Sequence, residues 1–452
     1  MISAPLTWLG QTSGPVVATL VALAATFQEG RATETASSGP LELRGAQEGD
    51  FFGVAVAAVD DVDGDGVRDL LVGANNYTTN VTLLGLLARP KRMDLIPYAV
   101  LHSGKDRREL LRITAVADAK ESNFGLGIVG AADADGDGRP DLAFGLPHLD
   151  LGESIRVEVG GLPEPSIELR SSRDGRRLWC AVSAGPLSGF SLARMDDVDG
   201  DGCGDIAVGG PASDKTPPEV KLHSGRTGQQ VGALKSPSNE CEHDQEFGNA
   251  IARVSDLDGD GVRDVAVGDP GLCRDNQRSL GAVHAYSAKK GTLLRTWTGQ
   301  REGQHYGCAV AGLGDLDHDG TEEIAVGARG EQDRGPFSGA AYVLSPKREQ
   351  PLYRFEGQEG SEFGSRLGSA GDFNGDGVDD IWVGAVRDLD DSEKCGLTVI
   401  YSGKDGAELA RGRGGVAAAL GDVNGDGCDD LAVGCPTEQK GRGVVRILLG
   451  HR

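Results

Sequence analysis

The acidic stretch DVDGDGVRD, Asp61 to Asp69, recurs in variant form through this chain, and no other feature limits its fold so strongly. Seven copies begin at Asp61, Asp133, Asp197, Asp256, Asp315, Asp372 and Asp422, about 60 residues apart. Such a period marks a solenoid, a propeller or an array, because one unit cannot bury its apolar face alone and must stack on its neighbours. The residues after each copy narrow the choice. They read LLVGA, LAFGL, IAVGG, VAVGD, IAVGA, IWVGA and LAVGC. Apolar side chains two apart, closed by a glycine, have the period of a strand. Upstream of each copy lies another run rich in Gly, Ala and Val, such as FFGVAVAAV (51–59) and FGNAIARVS (247–255). Each acidic loop is therefore expected at the tip of a β-hairpin.

A second hairpin separates successive loops. AVLHSGKDRRELLRI (99–113), VKLHSGRTGQQVGAL (220–234) and TVIYSGKDGAELA (398–410) each read as strand, polar turn, strand. Four antiparallel strands per repeat make a propeller blade. The expected fold is all-β: a seven-bladed β-propeller of four-stranded antiparallel blades over residues 41–452. Seven loops leave room for only six complete second hairpins. VVRILLG (444–450) matches a third strand, and LELRGAQEGDFFG (41–53) matches a fourth. The N-terminal strand is expected to complete the last blade, which closes the ring and removes an exposed edge. Glycine, 70 of 452 residues, suits many tight turns, and with aromatics at only 5% small aliphatic side chains must fill the core.

The loops carry oxygen ligands at alternate positions. Position 1 is always Asp, at the seven residues named above. Position 3 is Asp63, Asp135, Asp199, Asp258, Asp317, Asn374 and Asn424, and position 5 is Asp65, Asp137, Asp201, Asp260, Asp319, Asp376 and Asp426. Position 9 is Asp69, Asp141, Asp205, Asp264, Glu323, Asp380 and Asp430. Position 7 (Val67, Arg139, Cys203, Val262, Thr321, Val378 and Cys428) would contribute a backbone carbonyl. Hard oxygens at this spacing suit calcium, which takes six to eight of them in irregular geometry, better than the strictly octahedral magnesium. A helix–loop–helix sensor requires a bidentate Glu at position 12. Here that position holds Val72, Phe144, Val208, Val267, Val326, Val383 and Val433, each followed by Gly. The expected centre is a hairpin-tip calcium clamp, up to seven ions in all, with no helices to reorient.

The charge has a location. Five loops carry four liganding carboxylates and two carry three, so together they outnumber the net charge of −24. That balance disfavours nucleic acid and anionic membrane as partners. No HExxH, GxSxG, phosphate loop or triad-like set stands out, so no catalytic residue and no organic cofactor is assigned. His102, His223 and His284 lie on matching third strands and read as structural. The eight cysteines show no zinc spacing. Cys241 and Cys273 leave opposite sides of one metal hairpin and are a candidate disulfide.

Phe-Gly before the loop, the acidic loop itself, and Gly-Ala or Gly-Pro after it resemble the FG-GAP repeat, which builds the N-terminal β-propeller of integrin α subunits and many bacterial extracellular proteins. The pattern departs at Phe190-Ser191 in the third repeat, Tyr306-Gly307 in the fifth and Gly414-Gly415 in the seventh. Integrin α subunits carry the metal loop only in later blades, whereas all seven have it here. The resemblance implies a binding or adhesion module that takes a protein or glycan on the face opposite the calcium loops, built from loops such as 74–80, 147–151, 211–218, 271–278, 329–336 and 387–394. Two alternatives are a polysaccharide-processing, lyase-like enzyme on a calcium propeller and a structural surface-layer domain. Residues 15–27, PVVATLVALAATF, form an apolar run too short to span a bilayer and suited to a signal-peptide core, although no Lys or Arg precedes it. Residues 1–27 are thus expected to be a signal peptide and 28–40 a polar linker. A secreted or cell-surface location, where millimolar calcium would fill weak sites, agrees with the loops.

Overall fold

The computed structural model describes residues 42–75, 96–115, 124–147, 166–182, 188–210, 218–237, 246–274, 277–387 and 395–452. The expected signal peptide and linker, Cys241, and most of the loops between second and third strands lie outside these. Ser37–Arg452 forms one compact unit. Its strands make seven four-stranded antiparallel sheets. The first blade runs Phe52–Val59, Asp69–Ala74, Tyr98–His102 and Glu109–Thr114, each strand paired with the next. The first strands of successive blades pack on one another, and the first strand of the last blade, Val416–Gly421, packs on Phe52–Val59. The sheets therefore close into a ring. In the last blade the outer position is taken by Glu42–Arg44, with Leu43 opposite Val445 on Val444–Leu448, as expected from the sequence.

Alternation explains how such small side chains make a core. Successive residues of a strand point to opposite faces. Leu70 and Val72 pack toward the last blade, among Leu420, Val445 and Ile447. Leu71, between them, packs toward the second blade, against Phe124, Leu142 and Phe144. All three are buried. Each sheet is thus apolar on both faces, and each interblade seam is a separate small core. At roughly 25 cal/mol per Å² of apolar surface, these seams supply the main driving force of the fold.

The paired glycines have a steric cause. A Cβ on Gly73, near the end of the second strand, would lie 2.0 Å from the carbonyl oxygen of Gly125, at the start of the next blade. The same collision would join Gly268 to Gly307 at 2.1 Å, Gly327 to Gly364 at 1.9 Å and, across the closure, Gly434 to Gly53 at 2.3 Å. The two halves of the repeat are thus complementary parts of one blade-to-blade contact. In the third repeat the seat is filled by Gly189: a Cβ on Gly145 would lie 1.8 Å from its carbonyl oxygen. The register, with Ser191 opposite Gly209 as Ala250 is opposite Gly268, confirms this. The motif there is Ser188-Gly189, two residues upstream of the Phe190-Ser191 expected from the sequence, because backbone approach selects the glycine and not the aromatic residue.

Two features were not anticipated. Cys395 and Cys435 form a disulfide between the sixth and seventh blades, with Cα atoms 5.1 Å apart. Among the described residues a short helical turn, Glu438–Gly441, with Gln439 and Lys440 at left-handed φ, precedes Val444–Leu448. Cys273 is disulfide-bonded, and Cys241, its expected partner, lies outside the described residues.

Candidate metal centres

In an antiparallel blade, the turn of the metal hairpin and the turn of the second hairpin fall at the same end. The acidic loops therefore meet a neighbour the sequence reading left unused. Within the first loop, Asp61 Oδ1 accepts the N–H groups of Gly64 and Asp65 at 2.7 and 3.2 Å, and Oδ2 accepts that of Gly66 at 2.8 Å. Asp133, Asp197 and Asp422 repeat all three bonds within 0.2 Å. Gly64 and Gly66 have φ of 83° and 89°, which an L side chain adopts only with strain. Asp65 in turn accepts the N–H of Val67, the residue at position 7, at 3.0 Å. These bonds wrap the chain around position 1 and gather the carboxylates. Ligand oxygens of Asp61, Asp63 and Asp69 lie within 4.8 Å of one another, as do those of Asp133, Asp135 and Asp141, of Asp197, Asp199 and Asp205, and of Asp256, Asp258 and Asp260.

Position 9 has a second, structural role besides the ligand role expected of it. Asp69 is fully buried; its Oδ2 accepts the N–H of Val62 at 2.8 Å and its Oδ1 that of Gly104 at 3.0 Å. Gly104 belongs to the second-hairpin turn. Asp205 makes the same pair with Val198 and Gly225, and Asp430 with Val423 and Gly450. The acid is thus a staple between the acidic hairpin and the chain that follows the third strand of its blade. Burial pushes Asp69, Asp141, Asp205, Asp264 and Asp430 up to about 6, and neighbouring loop acids push the same way, against the opposing pull of the backbone donors. Asp380 and Glu323 rise to about 7 from the same main cause.

The turn contributes a hydroxyl as well. Ser103 Oγ donates to Asp65 Oδ2 at 3.2 Å, and Ser224 Oγ to Asp201 Oδ2 at 3.0 Å. The signal for these residues was a Ser followed two places later by Lys or Arg in each complete second hairpin, as in Ser103-Gly104-Lys105 and Ser402-Gly403-Lys404.

The donor set fits a hard cation. Asp137 Oδ2, Asp258 Oδ1 and Glu323 Oε1 are buried oxygens with no hydrogen-bond partner, and an unpartnered buried carboxylate oxygen is costly unless an ion satisfies it. The side chains at positions 1, 3, 5 and 9 of every loop are carboxylates or amides, which suits calcium. Among the histidines, His102 Nδ1 lies 3.0 Å from the Arg107 carbonyl, His223 Nδ1 2.9 Å from that of Gly228, and His284 Nδ1 3.0 Å from Thr296 Oγ1. These are structural contacts, outside the metal loops.

Comparison with known proteins gives the same architecture a family. The model of the FG-GAP repeat matches residues 52–84, 309–344 and 414–448, each spanning a metal loop. The chain is similar to integrin alpha-IIb of Mus musculus, at 37% identity over 275 residues, which are 54% of this chain and 25% of that protein. It is 31% identical to integrin alpha-5 of Xenopus laevis over 234 residues, 48% of this chain and 21% of that one. It is also 31% identical to integrin alpha-PS2 of Drosophila melanogaster over 187 residues, 39% and 12%. The chain spans a quarter or less of the length of these curated relatives. Seven four-stranded blades, a hairpin-tip acidic loop in each, and paired glycines between them make this chain an FG-GAP β-propeller of the integrin-α-like kind.

Proposed function

We propose that this protein is an extracytoplasmic, calcium-stabilised binding module for a protein or glycan, with one calcium ion held in each blade by the carboxylates and amides at positions 1, 3, 5 and 9 and the carbonyl at position 7. The observation that carries this is the division of labour between the two ends of the blades. One end repeats the acidic loop and its serine turn. The other end holds connections that differ from blade to blade, as expected where a rigid scaffold presents recognition loops. The likeness to integrin α subunits supports a ligand-binding role over the enzymatic and surface-layer alternatives. No helix among the described residues is long and apolar enough to cross a membrane. Residues 1–27 would serve as the export signal.

Most expected recognition loops lie outside the described residues, but 329–336 is described whole. It is braced from beneath: the buried carboxylate of Glu331 accepts from Gln304 Nε2 at 2.8 Å and from Tyr342 Oη at 3.0 Å. Arg301 and Arg354 both pair with Asp333. The loop then presents Arg334 and, just beyond it, Phe337, 54% exposed. Purified protein would be tested against glycan arrays and immobilised extracellular proteins, with calcium and with chelator. Calcium-dependent binding that Arg334→Ala with Phe337→Ala weakens supports this face. Binding indifferent to both the substitutions and calcium would refute it.

A further inference from the structure

At the calcium end of the blades, basic side chains from the second-hairpin turn reach back over the acidic loop. Arg108 Nη2 lies 2.5 Å from Asp63 Oδ2, and Arg176 Nη2 lies 2.6 Å from Asp135 Oδ2. Lys290 Nζ lies 2.8 Å from Asp258 Oδ2, and Arg348 Nη2 lies 2.7 Å from Asp317 Oδ2. All four contacts are on position 3, and all four basic side chains are half exposed or more. The oxygen they choose is informative. In Asp63, Asp135 and Asp317, Oδ1 already accepts the N–H of position 5 at 3.1 to 3.2 Å. Oδ2 is the oxygen left to face an ion, and it is the one the cation holds.

The loops with less charge supply an internal comparison. The sixth and seventh carry Asn at position 3. There Asn374 Nδ2 donates to Asp376 Oδ2 at 3.3 Å, and Asn424 Nδ2 to Asp426 Oδ2 at 2.9 Å. Lys404 comes no nearer to Asp376 than 3.9 Å. The third loop, with Asp199, has its basic residue, Arg226, on position 5 at 3.7 Å. Close cations thus accompany four of the five loops with Asp at position 3, and an amide of the loop itself serves where position 3 is neutral.

We infer that these turn residues are tethered counter-ions of the metal loops: each neutralises its loop when no metal is bound and yields position 3 when a divalent cation arrives. The physical reason is charge density. Four carboxylates folded around one point repel each other, and a nearby cation offsets that repulsion. A divalent ion at the same point repels the guanidinium or ammonium, whose long, exposed stem lets it swing into solvent. The loops can then fold before metal binds, at the cost of weaker metal affinity. This inference rests on calcium binding by the loops.

The test is the full-length variant R108Q/R176Q/K290Q/R348Q, with R44Q/R411Q, which removes two exposed cations away from the loops, as a control. Calcium binding would be titrated calorimetrically, and thermal unfolding followed in chelator and in calcium. Calcium should bind the four altered sites about twofold to fivefold more tightly, the range set by one exposed ion pair. The variant should unfold at lower temperature than the parent in chelator and show a larger calcium-induced rise, with the control unchanged. Unchanged or weaker calcium affinity overturns the inference, since the cations would then be idle or part of the loaded site. The parent titration is read first: no calcium binding there overturns the underlying metal reading instead, and the inference with it.

Discussion

Arg446 donates from Nε to Glu42 Oε1 at 2.9 Å and so ties the third strand of the last blade to the strand that closes the ring. Its other two nitrogens each meet Glu438 at 2.6 Å, a forked pair that fixes the helical turn Glu438–Gly441 beneath the closure. Glu438 is buried, while Glu42 is about one-third exposed. Arg446→Ala should therefore cost about 2–3 kcal/mol, mainly from the buried partner left unpaired, and Glu42→Ala less than about 1 kcal/mol. Urea unfolding of the two variants checks the order.

The glycine seam gives a sharper contrast. Gly327→Ala would place Cβ 1.9 Å from the Gly364 carbonyl, within backbone that cannot retreat without parting two blades. A loss of about 3 kcal/mol or failure to fold is expected. Gly303→Ala has open space around it and only the strain of φ 72°, so about 1 kcal/mol is expected. Equal losses at the two sites would show that steric approach is not what the repeat glycines serve.

The staple and ligand roles of the loop acids separate in chelator. Asp69→Ala strips the buried N–H groups of Val62 and Gly104 of their acceptor and should destabilise even metal-free protein by about 2–3 kcal/mol. Asp63→Asn relieves like-charge crowding and should change metal-free stability by less than about 1 kcal/mol. Both should weaken calcium binding, read by calorimetry.

His102 and His223 predict a pH effect. Burial lowers both from their ordinary value of 6.5, and the Nε2 of each is buried without a partner. The neutral ring is the native form, so the stability they contribute is complete above pH 6.5 and lost as pH falls below it, where the unfolded chain takes up protons first. The difference in unfolding free energy between parent and His102→Gln/His223→Gln should therefore shrink between pH 7 and pH 5. A constant difference over that range would assign these rings no protonation-linked role.

Cys395–Cys435 joins two blades and closes a 40-residue span. Removing it as the double serine variant should cost about 2–4 kcal/mol, and reductant, which also opens the Cys273 disulfide, should destabilise the parent by at least as much. Chemical denaturation in both conditions measures this directly.

Local pattern in the sequence determined the blade count, the strand order within a blade, the closure of the ring and the spacing of the loop ligands. These follow from short-range rules: side chains alternate along strands, turns need glycine, and carboxylates two apart in a tight loop are gathered at one point. Tertiary structure decided what lies between repeats. Leu70 shares a core with Val445, 375 residues away, and nothing local marks which interblade core it enters; the third repeat's glycine seat moved to Gly189 because the backbone of the neighbouring blade selects it. The staple from Asp69 to Gly104 and the reach of Arg108 over Asp63 likewise join residues 35 and 45 positions apart. Stacking seven sheets around an axis brings such residues together, and only that packing turns an acidic loop into a site with its own donors and counter-ion.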